Sequence, residues 1–114
     1  MTSYTTSCKP LPFYADGEAP LEELVDKFGS RLEALEPYEK LILLATIATN
    51  MAFHETNETD EDWGHLDTYR EIPSTTVGAE LEATLPSLDT LSSDNLLGLA
   101  EAVVAQLRYT REVA

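Results

Sequence analysis

The chain has 114 residues, 43% of them hydrophobic, with 21 acidic against 7 basic side chains and a formal net charge of −14. That length supplies one core rather than two, and the hydrophobic fraction is near the globular average, so the chain is expected to fold despite its charge. The acid excess argues against nonspecific binding to DNA, RNA or an anionic membrane, because each phosphate contact needs a lysine or arginine to displace counterions.

Residues 1–19, rich in Thr, Ser, Pro and Gly, carry no helical period and read as an irregular N-terminal arm docked through Phe13 and Tyr14. The sole cysteine, Cys8, lies in this arm, so no intrachain disulfide can form. The opening residues show no charged leader followed by an apolar run, and a cytoplasmic, reducing location is the expectation.

Residues 20–114 read as a single helical domain. "PLEELVDKFGSRLEALE" places Leu21, Leu24, Val25, Phe28, Leu32 and Leu35 at three/four spacing, the pattern of an amphipathic helix. Pro20 suits its first position, and Glu22 and Glu23 its positive end. Gly29 lowers the propensity without removing the pattern.

Pro37 ends that element and opens the next, "PYEKLILLATIATNMAFHE". Leu41, Leu44, Ala45, Ile47, Ala48, Met51 and Ala52 form one wide stripe, with Ile42, Leu43 and Phe53 outside it. A helix apolar on most sides belongs at the centre of a domain or at a subunit contact, and the three alanines let another helix come close. The surplus apolar surface predicts a homodimer. The run Leu41–Phe53, 13 residues with Asn50 inside it, is too short to span a bilayer.

"TDEDWGHLDTYREI" restarts with Thr59 as cap and puts Trp63, Leu66, Tyr69 and Arg70 on one side of a short helix. In "STTVGAELEATLPSL", Val77, Leu81 and Leu85 are spaced by four, which favours a short helix over a strand. The last segment, "SSDNLLGLAEAVVAQLRYTREVA", is capped by Ser92 or Ser93. It lines Leu96, Leu99, Ala100, Val103, Leu107 and Thr110 along one face, with Arg108 and Arg111 at its carboxyl end. No stretch alternates with period two. The fold class is all-α, a compact bundle of four or five helices.

Both histidines fall in "HETNETDEDWGHLD". Asp62 precedes His65 at a spacing that can share a helical face, but His54 is preceded at that spacing by Met51. The paired carboxylate-x-x-His units of a di-iron bundle are therefore incomplete. The plainer expectation has His54 at a helix end and His65 on a partly exposed helix. Neighbouring carboxylates can raise an imidazole's proton affinity without identifying a substrate. The scattered glycines cradle no phosphate, the serines lack a nucleophile elbow, and Cys8 has only Lys9 nearby to activate it. No catalytic residue, cofactor or metal ligand is assigned.

What remains is surface. Glu55, Glu58, Asp60, Glu61, Asp62 and Asp67 place six negative charges within 13 residues, beside Trp63 and Tyr69. Such a run is commonly a solvated connection, but with an aromatic anchor it also suits docking of a basic or apolar partner. The expected function is a small acidic interaction protein, an adaptor, assembly factor or regulator, non-catalytic and without direct nucleic-acid or membrane binding. Two alternatives stand beside it. One is a DNA mimic that inhibits a basic nucleic-acid-binding protein. The other is a metal-binding protein or enzyme that uses His54, His65 and nearby carboxylates.

Overall fold

A computed structural model describes residues 3–6, 9–56, 62–72 and 76–113, with the backbone alone at 3–6 and 110–113. The elements in order are β1 (Ser3–Thr6), α1 (Leu11–Tyr14), α2 (Ala19–Phe28), α3 (Pro37–Thr56), α4 (His65–Glu71), α5 (Ala79–Thr84), a 3₁₀ segment (Leu85–Thr90), α6 (Ser93–Tyr109) and β2 (Thr110–Val113). The fold is all-α. Its one sheet among the described residues is a ribbon in which β1 and β2 pair antiparallel, Ser3 opposite Val113 and Thr6 opposite Thr110. The ribbon ends α6 at Tyr109, so Thr110 and Arg111 belong to a strand and not to the helix that their spacing suggests. Strands of four residues are too short to display a period in the sequence.

Leucine builds the core. Leu11, Leu24, Leu32, Leu43, Ile47, Leu81, Leu85, Leu88, Leu99 and Val103 are all buried in one continuous cluster. α6 packs against both α3 and α1. The α1 crossing is close because residue 98 is glycine: a Cβ there would meet the Tyr14 carbonyl oxygen and the Ala15 methyl group. The arm therefore docks, but through Leu11 and Ala15, while Phe13 is 66% exposed. A single helical turn turns Leu11 inward, and Phe13 then stacks edge-on against Tyr14 outside.

α2 stops earlier than its hydrophobic spacing predicts. Gly29 adopts φ +95°, a left-handed conformation that suits glycine, and its N–H returns to the Val25 carbonyl. Leu32 and Leu35 still reach the core, from the turns that follow rather than from a continued helix. Glu39 begins α3: its Oε1 accepts the Glu36 N–H and its Oε2 accepts the Gly78 N–H ahead of α5. One buried carboxylate thus ties two helix starts together.

α3 runs for 20 residues, about 30 Å. Its buried face is Leu43, Thr46, Ile47 and Asn50, with Lys40 donating to the Arg31 carbonyl at 3.2 Å. Of the stripe expected to face inward only Ile47 is buried, while Leu41, Ala45, Ala48 and Ala52 are exposed. A helix apolar on most sides has no single face that periodicity can select. The choice falls to the polar residues, and Asn50 is buried because α4 supplies its partners. No helix among the described residues is long and apolar enough to cross a membrane.

Candidate functional site

α3, the start of α4, the 3₁₀ segment and the start of α6 surround an open cleft of about 580 Å³. Its lining includes Asn50, His54, Glu55, Asp62, Trp63 and His65, with Asp89, Ser93, Met51 and Leu96 completing the wall. The two histidines, at positions 54 and 65 on either side of a connection, both line this one cavity.

The cleft is held by a hydrogen-bonded network. Asn50 Nδ2 donates to the Thr68 hydroxyl at 3.1 Å and to the Trp63 carbonyl at 3.3 Å. The Trp63 indole N–H also donates to Thr68 Oγ1, at 3.0 Å, and that hydroxyl donates to the Gly64 carbonyl. His54 Nε2 donates to the Trp63 carbonyl at 2.7 Å. Thr68 is fully buried, and its hydroxyl satisfies the Trp63 indole N–H and one N–H of Asn50.

α4 begins at His65, not near Thr59, which lies outside the described residues together with Glu58, Asp60 and Glu61. Two carboxylates cap it. Asp67 accepts the Gly64 N–H at 3.0 Å, and Asp89 Oδ1 accepts the His65 N–H at 2.8 Å. Both sit at the positive end of the helix, where negative charge is favoured. Glycine at 64 makes the second contact possible, since a Cβ there would collide with the Asp89 carboxylate.

The same Asp89 oxygen accepts from His65 Nδ1 at 2.8 Å. His65 is 2% exposed, far from the partly exposed helix position its sequence context suggests, and its Nε2 has no partner among the described residues. Burial pushes the His65 pKa below the ordinary histidine value. The Asp89 hydrogen bond and charge oppose that shift, and the charge of His54 adds to it. A neutral ring bonded to a carboxylate through Nδ1–H carries its lone pair on Nε2.

Of the residues expected on a partner surface, Glu55 and Asp62 are exposed in the lining, and Trp63 forms a wall. Trp63 precedes α4 and does not share a helical face with Leu66 and Tyr69. Asp67 acts as a cap. Tyr69 is 7% exposed and belongs to the core, its hydroxyl accepting the Val77 N–H at 3.0 Å. Asp89, Ser93 and Asn50 are the site residues that sequence spacing did not indicate. Asn50 had a signal, a lone amide inside an apolar run, and such a residue needs buried partners. Asp89 had none.

Among the described residues no group of three His, Cys, Asp or Glu is placed to hold a metal ion. Ser93 shares the cleft with His65 but makes no hydrogen bond to its Nε2. No protein-family model matches the chain, and no curated protein or solved structure is significantly similar to it.

Proposed function

We propose that this is a non-catalytic interaction protein, an adaptor, assembly factor or regulator, that docks a basic segment of a protein partner on the Trp63 cleft. The observation that carries the reading is the charge of the lining. Glu55, Asp62 and Asp89 face one cavity beside an indole, and among the described residues no lysine or arginine lines it. Converging carboxylates raise the local concentration of a cationic segment and speed its encounter, and the aromatic wall supplies contact area at low entropic cost. The proposed compartment is the cytoplasm, on the strength of the single cysteine.

Charge reversal at the two exposed positions tests this with little risk to the fold. Calorimetric titration with hexalysine should show binding to the unaltered chain that weakens as salt rises, and Glu55→Lys/Asp62→Lys should abolish it. Equal binding by the double variant would remove the cleft from the account. Competition with DNA for a basic DNA-binding protein, measured by mobility shift, would favour the mimic reading instead.

A second reading concerns self-association. Tyr38 and Leu41 of α3 are 44% and 54% exposed, and Ala45, Ala48 and Ala52 continue the line at three/four spacing. No charged side chain interrupts α3 from Leu41 to Phe53 in a chain that is 25% charged. We propose a homodimer through this face. Sedimentation equilibrium should report a dimer for the unaltered chain and a monomer for Leu41→Glu/Ala48→Glu; a monomer in both cases would refute it.

A further inference from the structure

The hydrogen-bond donors of the cleft are already engaged. Both Asn50 N–H groups, the His54 Nε2–H, the Trp63 indole N–H and the His65 Nδ1–H all point at partners within the protein. Of the lining side chains the Ser93 hydroxyl remains, which accepts as well as it donates, and the second ring nitrogen of His54, which accepts in the neutral ring and donates in the charged one. What the lining offers is mainly a set of acceptors. They are the Glu55, Asp62 and Asp89 carboxylates and, in a lining residue only 2% exposed, the lone pair of His65 Nε2, a buried nitrogen unpartnered among the described residues. A buried imidazole without a partner costs free energy, and a ligand that donates to it recovers that cost. A phosphate or carboxylate would meet mostly acceptors and the like charge of three carboxylates. A group with several N–H donors and a positive charge satisfies the lining at once.

We propose that the cleft is a receptor for one basic side chain of the docked segment, a lysine ammonium or arginine guanidinium, whose N–H groups are accepted by His65 Nε2 and the surrounding oxygens. The site rests on the docking reading and makes it specific. Asp89 is a positioning residue. Its bond to Nδ1 fixes the tautomer that leaves Nε2 as an acceptor, so the dyad turns a histidine, often a donor, into a receiver of cations. The Trp63 indole provides a face over which the charge can lie.

The experiment is nitrogen-15 imidazole spectroscopy on the full chain. It should show His65 with its proton on Nδ1. Addition of Nα-acetyl-lysine methylamide should shift the Nε2 resonance to saturation, whereas the same compound acetylated on Nε, which lacks the charge, should leave it in place. A parallel titration of His65→Phe with hexalysine should bind roughly tenfold more weakly than the unaltered chain, the loss of about one charge-assisted hydrogen bond. Where that variant does not fold, the resonance shift in the unaltered chain decides. Hexalysine binding that keeps its salt dependence and its strength in His65→Phe overturns the receptor site and leaves the docking reading intact. Absence of any hexalysine binding to the unaltered chain overturns both. An Nε2 shift produced by zinc ion and not by the lysine compound replaces the receptor with a metal site.

Discussion

Around α6 the interior is mostly aliphatic, with Leu11, Leu88, Leu99, Ala102 and Val103 each at 0% exposure and Gln106 a buried polar exception; between α3 and α4 the buried polar groups are an amide, hydroxyls and an imidazole. The first region is held by area removed from water, a term that depends on volume and tolerates exchange among apolar residues. The second is held by directed bonds, where removal of one member leaves others buried and unsatisfied. Directed bonds of this kind fix geometry as well as adding stability. Their presence beside an open, negatively charged cleft fits a region kept for fixed geometry.

The comparison can be broken from either side. The largest effect belongs to the aliphatic region. Leu99→Ala should cost about 2–5 kcal/mol of stability, as cavity-forming leucine truncations do, measured by urea unfolding, while hexalysine affinity stays unchanged. A comparable loss of affinity would mean that the two regions are not separable.

Thr68→Val keeps the shape of its site and removes the hydroxyl. It strands one N–H of Asn50 and the Trp63 indole N–H, at a cost of about 1–3 kcal/mol in thermal unfolding. Because Trp63 is the only tryptophan, its emission should move to longer wavelength as the indole loses its anchor. An unchanged spectrum would place the indole outside the network.

The smallest effect is a pH slope. Burial holds the folded His65 pKa below 6.5, so the unfolded chain binds the proton more tightly than the folded one. The contribution of neutral His65 is therefore complete above pH 6.5 and is lost as pH falls through the lower folded value. Urea midpoints between pH 7.5 and 5 should fall more steeply for the unaltered chain than for His65→Gln. Parallel curves would contradict the buried neutral ring.

The legible part of the fold was its amphipathic spacing. Pro37 and the apolar run marked α3, and Ser92 with the leucine period marked α6, where Ser92 Oγ does accept the Asn95 N–H at 3.2 Å. The spacing failed where a backbone conformation or a distant partner decided. Gly29 sits inside a helical period yet takes a left-handed φ that ends the helix. The inward face of α3 was set by Thr68 and Trp63 from across a connection, which hydrophobic counting along one helix cannot register.

The candidate site was half legible. Its acidic residues and Trp63 stood together in the chain, and Glu55, Asp62 and Trp63 do share the cleft. The residue that gives His65 its character did not. Asp89 lies 24 positions away in "SLDTL", where nothing in its neighbours distinguishes it from an ordinary turn aspartate. Local sequence shows charge density; the orientation of a buried imidazole is a tertiary property.

The most direct test of the central claim uses the indole already in the wall. Trp63 fluorescence is followed as hexalysine, and separately hexaglutamate, is added at low and at high salt. A saturable change is expected with hexalysine, weakening as salt screens the carboxylates, and no change with hexaglutamate. A response to hexaglutamate, or silence toward hexalysine at low salt, would contradict the central claim.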